Sequence, residues 1–313
     1  MTEWPLWLEN LLQALATGIL VGGTYALMCV GLGLIFGVMR VINFAQGDFL
    51  MLGMYAAFYL YAGLGFHGLL GPYVGPILAA FLAGPLVFAA AWLVHLCLMA
   101  RVSGTAAQGA AAEGHHAQLI LTLGIALVLQ NGGLIVFGSM PQSIRTPLSN
   151  EAWEVGPVFL NESRVVAFCV AVGLALLLYL FMNRSSLGKT LRAAADNADA
   201  ATYMGIDVNR AHRLAFSIGI ALTAVAGGLV AMYYPFQPYV GLDFVIIMYT
   251  GVVLGGMGSI LGAFWGGMTI GLVQQLSTLV LPIQLQNTAI FVVFLAIVML
   301  RPQGLFGRIT ERA

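Results

Sequence analysis

The chain of 313 residues is 60% hydrophobic and 8% charged, and its 12 basic and 12 acidic side chains cancel at neutral pH. A soluble globular protein devotes roughly a quarter of its residues to charges, so this composition excludes a soluble domain, and no nucleic-acid partner is expected. Several apolar runs approach or exceed the ~20 residues that cross ~30 Å of hydrocarbon. Stretches such as Val165 to Phe181 lack the apolar/polar alternation of a membrane β-barrel. The expected fold is all-α: a polytopic membrane helix bundle with eight or nine transmembrane helices, one transmembrane domain over residues 1–313 set in a lipid bilayer.

In chain order, MTEWPLWLEN lacks the basic n-region and cleavage site of a secretory signal, so Trp4 and Trp7 read as interfacial anchors and no segment is expected to be removed. Hydropathy predicts spans near 10–38, 49–65, 73–99, 118–138, 163–183, 214–233, 244–262, 263–281 and 287–300. Nine crossings put the termini on opposite sides. With a cytoplasmic C-terminus and a periplasmic N-terminus, ten of the twelve cations lie inside and only Arg145 and Arg164 outside, as the positive-inside rule favours. The segment from Gly138 to Glu162 is then the largest external loop. The short Gly-rich stretch 47–65 and the boundary 255–267, which reads as a broken or re-entrant helix, leave the count open between eight and nine.

The pairs Gly18/Gly22 and Gly33/Gly37, and the series Gly258, Gly262, Gly266 and Gly271, place small residues on single helix faces where backbones approach closely. Packing within the chain is the expected use. No long internal repeat stands out, so an inverted-repeat carrier is not supported by the sequence. Cys29, Cys97 and Cys169 have unrelated spacings and read as small apolar residues.

After the first span Arg40, Asn43, Gln46 and Asp48 cluster. Polar groups at membrane depth are costly unless they face protein or water, so the cluster is a candidate functional site. The competing reading is an interfacial turn in which Asn43 and Asp48 cap the next helix and Arg40 marks the inner surface. Neutral polar residues inside later spans, chiefly Thr122, Gln130, Asn131, Tyr249 and Gln274, suit a solute that must be hydrogen-bonded without being trapped. With Asn43 and Gln46 they form the candidate substrate pathway. No ionisable relay is expected at mid-depth. His95, His115, His116 and Glu113 show no metal-ligand spacing, and no nucleophile–base or paired-carboxylate arrangement stands out, so neither metal nor catalytic residues are assigned.

Residues 184–213 interrupt the apolar pattern with thirty Ala-rich, charged residues. Ser185 or Ser186 is the expected N-cap of a helix running through about Met204 to a C-cap at Gly205, and Asp207 caps the next helix. Arg192 and Asp196 share one face; Leu191, Ala194, Ala198 and Ala201 make an apolar stripe on another, suited to a partner's groove. Gly188, Lys189 and Thr190 imitate the end of a phosphate-binding loop, but position 183 is Asn183 where the motif needs glycine, and a span precedes it where the motif needs a strand. The segment therefore reads as a docking handle, with Gly188, Lys189, Arg192, Asp196, Asn197 and Gly205 as its candidate coupling residues.

GVMRVINFAQGDFLMLGMY at 37–55, SSLGKTLRAAADNADAATYMGID at 185–207, GGMGSILGAFWGG at 255–267 and RPQGLFG at 301–307 together resemble the permease subunits of branched-chain amino acid ABC importers, the LivH type of the hydrophobic amino acid uptake family. The resemblance implies a bacterial inner-membrane heterodimer with a second, LivM-like permease. It also implies two cytoplasmic ATPases that use ATP and Mg, and a periplasmic solute-binding protein. The chain itself would hold no cofactor and do no covalent chemistry, and the 185–207 segment would couple it to the ATPases. Where the family commonly has His, this chain has Gln46, and substrate stays open among hydrophobic amino acids, urea, amides and organic acids. The competing class is an ATP-independent carrier or channel.

Overall fold

The computed structural model describes residues 5–63, 65–103, 111–301 and 304–306. Helix α1 (Leu6–Met39) enters after Pro5, whose fixed φ suits the start of a helix, and runs 34 residues. It ends at Arg40 in the left-handed region, φ 55, where the Arg40 N–H bonds the carbonyl of Phe36. Helix α2 (Gln46–Phe58) is short and passes into a π turn at Tyr59–Gly63. Helix α3 (Phe66–Val94) is kinked at Gly71 and followed by a second π turn, His95–Met99, and the short α4 (Ala100–Ser103). Helix α5 (Ala111–Phe137) leads through the single turn α6 (Pro147–Asn150) into a hairpin of β1 (Ala152–Val155) and β2 (Val158–Asn161). The hairpin pairs Ala152 with Asn161 and turns at Gly156, φ 62.

Helix α7 (Glu162–Arg184) precedes the insert, which consists of α8 (Ser186–Asp196) and α9 (Ala198–Tyr203). Then come α10 (Val208–Val230), α11 (Val240–Gly255), α12 (Ile260–Ser277) and α13 (Gln286–Leu300). Five segments, in α1, α3, α5, α7 and α10, are long and apolar enough to cross a membrane. Helices α2, α11, α12 and α13 are shorter; the 13 residues of α2 rise only about 20 Å. Among the described residues these nine helices account for every expected span. The boundary expected within 255–267 is a tight turn at Gly256 and Gly258, φ 102 and 92, which folds α11 and α12 into an antiparallel pair with Gly255 against Gly262 and Gly251 against Gly266.

The core is built on α1 and α10, the two most enclosed spans. They cross where a Cβ on Gly31 would lie 2.5 Å from the carbonyl oxygen of Gly219, and a Cβ on Gly219 equally close to that of Gly31. The glycine stripes pack within the chain: Gly18 lies on Leu272, Gly22 on Gly271 and Gly37 on Gly258, so α12 runs antiparallel along α1. Without side chains in the way, backbones approach closely enough for dispersion to hold helices that lipid would solvate equally well.

The contacts also show an internal repeat that the sequence reading did not find. Helix α12 lies on α1 as α3 lies on α10, with Gly267 against Ala26 and Gly84 against Val225. Gly53 of α2 lies on Ala224 of α10, and Met248 of α11 receives the thiol of Cys29 of α1; the two pairs are offset by the same 195 residues (53 to 248, 29 to 224). The triplets α1–α2–α3 and α10–α11–α12 thus repeat one arrangement with reversed direction. The starts of α2 and α11 meet inside the bundle, Gly47 against Gly241. Such symmetry constrains backbone packing and leaves side chains free to diverge, which hides it from a single sequence.

Candidate translocation and coupling sites

The stretch between Arg40 and Gln46 is not the interfacial turn that simple capping predicts. The N-cap of α2 is Ala45 and receives no side-chain bond, so neither Asn43 nor Asp48 caps it. Asn43 and Gln46 are instead fully buried. Asn43 Nδ2 donates to Gln46 Oε1 (3.0 Å), Gln46 Nε2 donates to Thr223 Oγ1 (2.6 Å), and the Thr223 hydroxyl donates to the carbonyl of Gly219 (3.0 Å). This chain ties the start of α2 to the glycine crossing of α1 and α10. The Asn43 Oδ1 atom is buried without a partner among the described residues.

Asp48 is buried as well, two residues after Gln46 in the first turn of α2, with the Gln130 amide as its hydrogen-bond partner and Oδ1 directed at Gly241. The expectation that only neutral groups occupy this depth is corrected: the α2/α11 crossing carries the carboxyl inward. Tyr249 joins the same region through its ring, 5.7 Å from that of Phe44. Thr122 is buried and bonds the carbonyls of Leu119 and, at 3.5 Å, Ile42.

Two residues of the expected pathway stand elsewhere. Asn131 is exposed on α5 and bonds the carbonyl of Leu127 in its own helix. Gln274 accepts from the Tyr25 hydroxyl (2.9 Å), linking α12 to α1. Thr223, the residue that completes the buried chain, was missed because a threonine in an apolar helix commonly bonds its own preceding turn, and this one does both.

In the insert, Ser185 and Asp207 cap α8 and α10 through Gly188 N–H (2.9 Å) and Arg210 N–H (2.9 Å), and Gly205 has φ 83, as expected. The single helix expected through Met204 is divided at Asn197, whose side chain caps α9 through the Ala200 N–H (2.9 Å). The apolar stripe is also placed differently: Leu191, Ala194 and Ala201 are buried against this chain and offer nothing to a groove. Gly188 is buried too, where a Cβ would meet the carbonyl oxygens of Phe181 and Met182 at 2.5 Å. Lys189, Arg192, Asp196, Asn197 and Gly205 are exposed. The outer surface of the insert ends in two apolar side chains, Tyr203 at 88% and Met204 at 83% exposure.

Arg40 connects the two regions, its guanidinium reaching the carbonyl of Ala195 near the C-terminus of α8 (3.3 Å). Cavities of about 790 and 600 Å³ flank this junction and share Gly37, Arg192, Ala195, Asp196, Met257 and Gly258. Leu305 meets the same side, its N–H bonded to the carbonyl of Leu254. At the opposite end the Gln13 side chain pairs with the Phe159 backbone in both directions, 2.9 and 2.8 Å, and fastens the β-hairpin to α1.

The family model described as branched-chain amino acid transport system / permease component matches residues 14–301. The chain belongs to this permease family. It is 30% identical over 305 residues to the high-affinity branched-chain amino acid transport system permease protein LivH of Escherichia coli (strain K12), covering 95% of this chain and 96% of that protein. To the permease BraD of Pseudomonas aeruginosa it is 32% identical over 302 residues, covering 95% and 96%. A partial likeness, 34% over 155 residues and 46% of this chain, extends to the autoinducer 2 import permease LsrC of Enterobacter sp. (strain 638). No solved structure gives a significant match. The permease is a multi-pass membrane protein whose helical bundle agrees with that family.

Proposed function

We propose that this permease is one of two membrane subunits of an ATP-driven importer for branched-chain or other hydrophobic amino acids, or for related small polar solutes. It pairs with a second, LivM-like permease, receives substrate from a periplasmic binding protein at the hairpin end, and takes its drive from two ATPases that bind ATP and Mg. The insert end is cytoplasmic, the N-terminus periplasmic, and the membrane is the bacterial inner membrane. What carries this reading is the insert: a capped, two-helix projection with an exposed Tyr203–Met204 tip, joined by Arg40 to the turn that positions Asn43 and Gln46. Lys189, Arg192, Asp196 and Asn197 form its polar contact surface, while Gly188 sets its close seat on α7 and Gly205 ends it. Asn43, Gln46, Thr122, Gln130 and Tyr249, with Thr223 and Asp48 added, line or gate the solute path; Asn131 and Gln274 stand outside that group.

Uptake of leucine into proteoliposomes holding the co-purified subunits tests the reading: it requires external binding protein and ATP on the insert side. The buried carboxyl of Asp48 favours one second reading, a carrier that couples transport to a cation without ATPases. Uptake by the chain alone, abolished by Asp48→Asn, would establish that alternative.

A further inference from the structure

Where α3 ends and α10 begins, three basic side chains meet outside the solute path and the insert. His95, in the π turn after α3, is 1% exposed, and neither of its ring nitrogens has a hydrogen-bond partner among the described residues. Its ring stands 5.5 Å from Phe216. The Arg213 guanidinium lies over the face of Trp92, 5.0 Å from the ring centre. Arg213 Nε and His212 Nδ1 are also buried without partners among the described residues. Buried polar groups are almost always paired, and a guanidinium and two imidazoles that lack partners among the described residues suit one from outside the chain.

We propose that this cluster binds a phosphate group, and that its source is the headgroup of an anionic lipid. A phosphate offers several acceptor oxygens and full negative charge, which suits a guanidinium and an imidazole side by side better than any neutral group. Arg213 and His212 are half-buried and form the rim that a headgroup meets; His95 is enclosed behind them. The lipid source follows from the surroundings. At the end of α3 and in the π turn that follows, Leu93, Leu96 and Leu98 are exposed by 58, 45 and 40%, an apolar surface for acyl chains on the segment that carries His95. The site lies at the insert end of both helices, where spans leave the hydrocarbon and headgroups begin. A π turn inside a helix is frequent at functional sites.

The test uses the permease purified with its accompanying subunits, delipidated in mild detergent and returned to vesicles of phosphatidylcholine alone or mixed with an equal amount of phosphatidylglycerol. Thermal unfolding and lipid retained after re-extraction are compared for the wild type, the double variant His212→Gln/Arg213→Gln and the charge-preserving Arg213→Lys. The expected result is retention of phosphatidylglycerol over phosphatidylcholine by the wild type and Arg213→Lys, falling about tenfold in the double variant. Unfolding in phosphatidylcholine alone reads the stability lost with the Arg213–Trp92 contact, and the lipid preference of folded protein, retained phosphatidylglycerol over phosphatidylcholine, is compared apart from it. Equal retention of both lipids by the wild type, or unchanged preference in the double variant, overturns the site. Stabilisation by inorganic phosphate or glycerophosphate as strong as that by phosphatidylglycerol vesicles overturns the lipid source.

Discussion

Arg40 holds the carbonyl of Ala195 at 3.3 Å from a left-handed backbone conformation, φ 55. A non-glycine residue there costs about 1–2 kcal/mol, and the exposed bond returns less than that, so stability does not account for its presence. The pairing joins the C-terminus of α8, where a cation is favoured, to the turn that carries Asn43 and Gln46. Arg40→Gly removes both the strain and the link. The protein should insert and unfold at an unchanged or slightly higher temperature while ATP hydrolysis no longer drives uptake, read by ATPase and transport rates in the same proteoliposomes. Unaltered coupling would show that the contact transmits nothing.

Thr223→Val keeps the shape of the side chain and removes the acceptor of Gln46 Nε2 inside the bundle. The loss is about 1–2 kcal/mol of stability, with slower transport, whereas Thr223→Ser restores both. Detergent melting curves and initial uptake rates give the two readouts.

Gly219→Val places methyl groups against the backbone of Gly31 and the side chain of Ile35, so folded protein should fall sharply in the membrane fraction. Gly132→Ala, where a Cβ meets nothing within 4 Å, is the matched control and should be neutral. Equal yields of the two variants would contradict the α1/α10 crossing as described.

Much of this molecule was legible beforehand, and the reasons differ by element. Length and apolarity locate spans because the bilayer sets a fixed thickness, and Ser185 and Asp207 mark helix starts through local side-chain caps while Gly205 marks an end through its positive φ. Asn197 was harder: it continues an Ala-rich helix as readily as it caps a new one, and tertiary packing of Leu191 and Ala201 decides. Gly188 looked like a contact residue by its neighbours in sequence, yet it is a seat on α7. The buried position of Asp48 depends on where Gly47 meets Gly241, a contact 194 residues away that hydropathy does not encode. One trace of the repeat was present in the letters: Asp48-Phe49 and Asp243-Phe244 each sit in the first turn of a short helix, 195 residues apart.

Tyr203→Asp/Met204→Asp replaces the exposed apolar tip with charge while leaving the buried face of the insert intact. Losing the burial of two such side chains weakens ATPase association by about tenfold or more, with no change in unfolding temperature.

The most direct measurement is a mild-detergent pull-down of the tagged permease from its native membrane, with mass spectrometry of its companions, for the wild type and for Tyr203→Asp/Met204→Asp. A second permease and nucleotide-binding subunits should accompany the wild type, and the charged-tip variant should keep the second permease and lose the ATPases. A wild-type chain that emerges alone and transports alone in liposomes would contradict the account.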